Sequence, residues 1–490
     1  MTFSIQTSFK WGAMLGSALA AAIATSAHAD WTGPYIGIGA GYGISRDDVS
    51  FAPGPALGGL IAGNLSIDGF ANTGGFFSLS AGYDYQVNRS LVVGAFIDYD
   101  ISNMSLDTSI SVPGLFNASA GSEIENQLFL GGRVGYLASP STLFFVSAGY
   151  ARVETSDVTF AADAGGIGVT GVLAAIPTLE GYFIGAGAET KIGHGFSIKA
   201  EYRYTDLSEE NFELLPGLGL APFLTSTIDT TIQTGRISLN YRFGEGGAAS
   251  ADSSDAAIAR SWTGAYGAIS AGYGAASSEL SLSNTPLVAP FNATVDGAGS
   301  KGGVFGIGVG YDYQVNRSIV VGALAEWQLA RLQNEISANF AAGGVTLGGQ
   351  IETEVEDVFY LGGRVGYLAS PDTLVFVSAG YANAQLDDTT FSGSLDLGGG
   401  PLTATATLIG GERFSGIFLG GGIETRLTGS LSLKAEYRYV DFGSEQVTLL
   451  PDIAPVINAL VSTEVDPTLH LGMVSLVYRF GAEERAAPLK

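Results

Sequence analysis

Few residues of this chain have types and spacings that could do chemistry. Past residue 30 there are two histidines, His194 and His470, and cysteine is absent throughout. Thiol catalysis, a disulfide framework and a cysteine metal site are therefore excluded. A histidine beside a carboxylate could serve as a general base. His194, however, falls in the turn signature Gly193-His194-Gly195, and His470 stands near the start of a strand pattern, close to Glu464 and Asp466. Both read as solvated residues, with His470 at a strand rim. Gly37, Gly39, Gly41 and Gly43 superficially suggest a phosphate loop, but such a loop needs a helix after it, and no helical periodicity follows. These glycines are expected to face the inside of a narrow barrel. No catalytic residue, cofactor site or metal ligand set emerges, and no EF-hand spacing is present.

The charged residues that remain alternate. Lys199, Glu201 and Arg203 share one side of a period-two pattern, opposite Ile198, Ala200, Tyr202 and Tyr204. Arg236, Ser238, Asn240 and Arg242 oppose Ile237, Leu239, Tyr241 and Phe243, and Asp98 and Asp100 oppose Leu91, Val93, Ala95, Ile97 and Tyr99. Such alternation defines half-buried strands. Eight segments of this kind are expected near 31–43, 74–86, 90–102, 125–138, 142–153, 181–192, 196–206 and 230–243. Short turns join them at Gln86–Ser90, Ala138–Ser141 and Gly193–Gly195, while long loops occupy 44–73, 103–124, 154–180 and 207–229.

The whole pattern occurs twice. Trp31-TGPYIGIGAGY-Gly43 returns as Trp262-TGAYGAISAGY-Gly274, and Gly82-YDYQVNRSLVVG-Ala95 as Gly310-YDYQVNRSIVVG-Ala323. Leu130 to Ala151 returns as Leu361 to Ala382 with only Ser141/Asp372 and Phe144/Val375 differing, and Ser197-IKAEYR-Tyr204 returns as Ser432-LKAEYR-Tyr439. Tyr241-Arg-Phe-Gly244 matches Tyr478-Arg-Phe-Gly481. A period this long makes each copy a domain. The expected division is a signal peptide over 1–29, a first barrel over 30–244, a small polar linker over 245–260, a second barrel over 261–481 and a tail over 482–490. Lys10, the apolar stretch Trp11 to Ala24 and Ala27-His28-Ala29 supply the three parts of an export signal.

Composition says which solvent the strands meet. Gly numbers 71, aromatics reach 11%, charged residues only 14%, and the net charge is −25; the mean hydropathy is positive. Past residue 30 there is no apolar run long enough for a helical span. A closed sheet is the remaining way to satisfy the backbone in lipid. The fold class is thus all-β: a transmembrane antiparallel β-barrel in two tandem eight-stranded units, with one 16-stranded barrel as the alternative. The acidic balance excludes nucleic acid as a partner, because phosphate binding needs clustered Lys and Arg.

Charges on the strands cannot face lipid, since Arg or Lys there costs roughly 2–4 kcal/mol at the midplane. They are expected in the lumen as a structural network. In the first copy Asp84, Asp98, Asp100, Glu189 and Glu201 meet Arg133, Lys199, Arg203, Arg236 and Arg242. In the second, Asp312, Glu326, Glu424 and Glu436 meet Arg364, Lys434, Arg438 and Arg479. Met473 stands where the first copy has Arg236, and Gln328 where it has Asp100, so one charge of each sign is lost together. Each copy balances by itself, which favours two separately closed barrels.

Aromatic residues cluster at strand ends, as membrane interfaces require. Tyr83, Tyr85, Tyr136, Tyr241 and Phe243 lie at the short-turn end, and Tyr42, Tyr99, Tyr150, Tyr182 and Tyr204 at the long-loop end. The loops are acidic. The first copy carries Asp47, Asp48, Asp68, Asp107, Glu123, Asp157, Asp163, Glu180, Glu209, Glu210 and Glu213 against Arg46, and the second has Glu352, Glu354, Glu356 and Asp357. Solvated faces are expected, with attraction of cations or metal-bridged anionic lipopolysaccharide as the functional counterpart.

The opening W-x-G-x-Y-x-G-x-x-x-G-Y, the K-A-E-Y-R-Y strand and the Y-R-F closing strand resemble the opacity-protein and small porin-like outer-membrane family of proteobacteria, twice over nearly the whole chain. The resemblance implies eight-stranded barrels in the bacterial outer membrane with variable surface loops, structural, adhesive or porin-like in role. Members usually carry one barrel and end on the aromatic residue that the barrel-assembly machinery reads. Here Phe243 precedes the linker and Phe480 precedes Gly481 to Lys490. The partners so implied are outer-membrane lipid, lipopolysaccharide, that machinery and an unidentified surface ligand. Long loops would be extracellular, with turns and linker periplasmic. Two functions stay open, neither enzymatic: a structural protein presenting acidic loops, and a porin for small cationic or neutral solutes.

Overall fold

A computed structural model describes residues 31–57, 62–113, 115–244, 261–284, 291–342, 345–398, 400–451 and 461–481. The expected signal peptide, linker and tail lie outside these residues. Eight long strands come from the first repeat: β1 (Gly33–Pro53), β2 (Thr73–Gln86), β3 (Leu91–Val112), β4 (Phe116–Ser139), β5 (Thr142–Thr155), β6 (Leu179–Gly193), β7 (Phe196–Leu207) and β8 (Leu224–Arg242). Eight come from the second: β9 (Gly264–Asn284), β10 (Asn292–Gln314), β11 (Ile319–Ala342), β12 (Val345–Ser370), β13 (Thr373–Leu386), β14 (Arg413–Arg426), β15 (Leu431–Asp441) and β16 (Val461–Arg479).

Each strand pairs antiparallel with its neighbours, and each set closes on itself. β1 pairs with β8 from Tyr35↔Arg242 to Pro53↔Leu224, and β9 with β16 from Tyr266↔Arg479 to Asn284↔Val461. The sixteen strands therefore form two rings of eight. At one end the connections are tight. Gly193, His194 and Gly195 turn there with φ of 102°, 55° and 79°, left-handed values that glycine adopts freely.

At the other end the structure corrects the expected long loops, much of which is strand. β3 and β4 run on as a hairpin to Val112 and Phe116. Val158–Ala164 pairs with Ile167–Ala175, and Thr389–Asp396 with Pro401–Ile409. Polarity explains why alternation under-reported these extensions. Within the bilayer band β8 turns Ile237 (56% exposed) outward and Arg236 inward; beyond it Ile228 and Ile232 point inward and are buried. The pattern inverts where lipid gives way to water. Met104, Ile124, Phe129, Leu179, Phe212 and Ile232 thus form an apolar plug in the loop end of the first ring. Leu332, Tyr360, Phe414, Val440, Leu469 and Leu471 belong to its counterpart in the second.

The strand Ala62–Phe70 joins the rings at the loop end, pairing with β1 on one side and with β11 on the other. Thr108–Ser111 of β3 adds a pairing with Asn292–Val295 of β10. At bilayer depth the rings touch through outward-facing side chains, and equivalent contacts occur twice with the partners exchanged. The Tyr202 ring lies against Gly472, and the Tyr437 ring against Gly235, so tightly that a Cβ on either glycine would collide with the ring. Tyr204 meets Tyr273 at 5.7 Å, and Tyr42 meets Tyr439 at 5.7 Å. Thr142 and Thr373, equivalent residues, share a hydrogen bond of 2.8 Å near the turn end. The interface is isologous within one chain, and glycine at its centre permits the close approach that membrane-embedded surfaces use.

Candidate functional site

All eighteen lumen charges expected from alternation face inward, none more than 8% exposed. Local sequence accounts for this: successive side chains alternate faces, and the lumen is the face where an ion can find a partner.

In the first ring the charges form two clusters. Near the turn end Arg133 grips Asp84 through Nε at 2.9 Å and Nη2 at 2.5 Å, and reaches Glu189 at 2.7 Å. Arg242 completes this cluster with Asp84 at 2.6 Å. Ser197 and Asn240 donate to Glu189 at 2.5 and 3.2 Å. Deeper in, Arg203 donates to Asp98 at 2.8 Å and to Glu201 at 3.1 Å. Its guanidinium is held between the Phe129 and Phe183 rings, 4.5 Å from each centroid. Lys199 pairs with Glu201 at 3.3 Å, and Arg236 with Asp100 at 2.7 Å and Asp98 at 3.4 Å.

The second ring repeats the arrangement. Arg364 binds Asp312 and Glu424, and Arg479 binds the same two acids at 2.8 Å each. Lys434 and Arg438 both bind Glu326 and Glu436. Where the first ring has Asp100 and Arg236, the second places Gln328 Nε2 3.0 Å from Met473 Sδ. The two replacements face each other, so neither strands a charge. The double loss seen in the sequence is one event in space.

Sequence reasoning assigned no role to the first tryptophan of each copy. Trp31 and Trp262 are wholly buried at the turn ends. Their Nε1 groups donate to the Pro140 and Pro371 carbonyls at 3.1 Å, and Arg242 and Arg479 lie over their rings. The opening motif thus stoppers each lumen. The signal was available, since Trp31 precedes β1 at the same offset as Trp262 precedes β9. The lumen-facing glycines behave as expected: a Cβ on Gly39 would lie 2.5 Å from Ser238 Oγ.

His470 is a correction. It is not a solvated rim residue but 1% exposed. It faces out of its own ring and lies against the outside of the other, stacked on Tyr42 at 5.2 Å with its Nδ1 2.7 Å from Oη of Tyr437 in its own ring. Gln233 holds the equivalent place in the first copy, accepting from Tyr202 at 2.6 Å. Tyr204, expected in an interfacial girdle, likewise packs between the rings, whereas Tyr83, Tyr85, Tyr136 and Tyr182 are exposed outward. His194 lies exposed in its turn.

Above the Tyr42 level, Asp47 accepts from Thr230 at 2.6 Å and Asn72 at 2.8 Å. Burial, with Asp48 and Asp229 beside it, outweighs those bonds and pushes its carboxyl up to about 6. This acid is therefore not the solvated loop charge expected. Among the described residues no group of His, Asp and Glu is arranged to hold a metal.

Two closed rings with apolar exteriors, tyrosine-edged bands and ionic interiors define a transmembrane β-barrel protein. The chain belongs to the outer membrane protein beta-barrel domain family, whose pattern matches residues 13–243 and again 246–480, and its place is the bacterial outer membrane. It is similar to the 31 kDa outer-membrane immunogenic proteins of Brucella melitensis and Brucella suis, 29% identical to each over 216 residues, or 44% of this chain and 84% of theirs. Among solved structures, the toluene transporter TodX of Pseudomonas putida aligns over 91% of this chain and 90% of its own at 11% identity and a TM-score of 0.26. The attachment invasion locus protein Ail of Yersinia pestis aligns over 44% of this chain and 99% of its own at 13% identity and a TM-score of 0.18.

Proposed function

We propose that the protein is a structural component of the outer membrane, two filled barrels that anchor a broad acidic surface built by their loop ends, with no open channel and no catalytic step. The observation that carries this reading is the buried network in each ring. Eight strands leave an interior just wide enough for side chains, and here Arg203 and Arg438 sit fully buried across it. A permeating solute would have to break these ion pairs, and exposing one partner of such a pair costs about 3–5 kcal/mol.

In this reading the turn ends face the periplasm, where Trp31 and Trp262 close the lumens, and the loop ends face outward with their bridging strand Ala62–Phe70. The Brucella relatives are named for the immune response they raise, and a similar surface exposure of these loops is part of the proposal. The outward partner is a surface ligand met by the loop ends, and insertion relies on the barrel-assembly machinery.

Single-channel recording of the refolded protein in planar bilayers tests it. The expected record shows no stable openings. Steady nanosiemens steps would sink the structural reading and install diffusion of small solutes in its place.

A further inference from the structure

Between the two rings lies a cleft of about 740 Å³, roofed at its loop end by Tyr42, Tyr202, Tyr273 and Tyr437. Its walls are outward-facing side chains, among them Ala186 and Ile237 of the first ring and Val365, Val377 and Val474 of the second. The charged residues beside it, Glu201, Arg236 and Glu436, spend their ionic ends on lumen partners. The cleft wall therefore offers a ligand hydrocarbon, its only side-chain polar groups being the tyrosine hydroxyls of the roof and lip. Its size is that of a small-molecule pocket.

The cleft is lopsided, although the interface is nearly symmetric. On the second ring it runs down to Ile319, Tyr367 and Val375 at the turn end. The equivalents in the first ring, Leu91, Tyr136 and Phe144, do not line it. One of the two side-chain differences between segments 130–151 and 361–382 falls here: Phe144 in the first copy is Val375 in the second. The smaller residue stands where the cleft opens.

We propose that this cleft holds one acyl chain of a phospholipid, entering from the leaflet at the turn end. Three observations select that occupant. First, the cleft is continuous with the surface each barrel presents to lipid, since Val365, Tyr367 and Val377 at its lip are 52%, 54% and 61% exposed. Second, the tyrosine roof closes the loop end, leaving the turn end as the entrance. Third, the exposed Arg317 lies in the turn two residues before Ile319, placing a cation at the mouth for a headgroup phosphate. The assignment of that leaflet as the periplasmic one rests on the orientation proposed above.

Native mass spectrometry of the full mature chain, refolded in mild detergent and titrated with palmitoyl-oleoyl phosphatidylglycerol, tests the proposal. One retained phospholipid is expected per chain. Val375→Phe, which restores the first copy's residue, and Val377→Phe at the exposed lip should each weaken retention about tenfold. Val146→Phe, the matching change outside the cleft, should leave it unchanged. Heat-modified gel mobility identifies folded variants, and if Val375→Phe does not fold then Val377→Phe decides. Wild type without a retained lipid, or equal retention by the folded Phe variants, overturns the site. Retention of lipopolysaccharide in preference to phosphatidylglycerol overturns the assigned source. Channel recording is a separate readout, so an open pore would overturn the structural reading without touching this result.

Discussion

Exchanging Asp100 and Arg236 for the Gln and Met that stand in the second ring isolates the worth of one buried ion pair. Asp100 is wholly buried, and Arg236 at 2.7 Å is its ionic partner. Arg236→Met alone strands that carboxylate and should destabilise the first barrel by about 3–5 kcal/mol. Asp100→Gln alone leaves Arg236 with Asp98 at 3.4 Å, and should cost less, about 1–2 kcal/mol. The double variant recreates the Gln328–Met473 contact and should lie within about 1 kcal/mol of wild type, giving a coupling of at least about 3 kcal/mol. Urea titration of the protein refolded into lipid vesicles, followed by gel mobility, measures all four corners of the cycle. Costs that simply add, or an Arg236→Met cost below about 1 kcal/mol, would show that the paired replacement reflects packing rather than charge.

Arg203→Ala removes the bonds to two carboxylates, Asp98 and Glu201, and the contacts with Phe129 and Phe183, and should lower the temperature of heat-modified mobility clearly. Glu210→Ala in a loop strand should change stability by less than about 0.5 kcal/mol, and equal shifts would contradict the network. Asp47 supplies a pH dependence. Its folded carboxyl, at about 6, titrates above its ordinary 3.8, so the folded state binds the extra proton and stability falls as pH rises from about 4 to 6. Asp47→Asn should remove that slope and stabilise the protein at pH 7 by at most about 3 kcal/mol; an unchanged urea midpoint across this window refutes it. Thr142→Cys with Thr373→Cys, in a chain with no cysteine of its own, should oxidise to an intramolecular disulfide visible as a mobility shift. Failure to cross-link under oxidation would argue against the side-by-side packing.

The sequence by itself determined the strands, their lumen faces and eighteen of the lumen charges, but not Arg426, buried over the Trp262 ring, or Asp47, bonded to Thr230. These are local matters: successive residues alternate sides, and an ion opposite an apolar row in a lipid-soluble chain has one face available to it. The sequence also showed that those eighteen charges balance within each copy, but not that Arg133 takes Asp84 and Glu189 while Arg236 takes Asp100, because register between distant strands sets those pairings. One ring of sixteen and two of eight have the same alternation, and only the pairing of β1 with β8 and of β9 with β16 distinguishes them. The extensions beyond the bilayer escaped notice because their polarity reverses, Ile228 and Ile232 facing in where Arg236 and Arg242 face in lower down. The interface was equally silent. Tyr202, Gly235, Tyr437 and Gly472 are residues that a lipid-facing strand would carry in any case, so a surface pressed against another barrel has the composition of one facing hydrocarbon. His470 and Gln233 were polar hints, and the meaning of His470 came only from the Tyr42 ring that the approach of the two barrels stacks on it beside Tyr437.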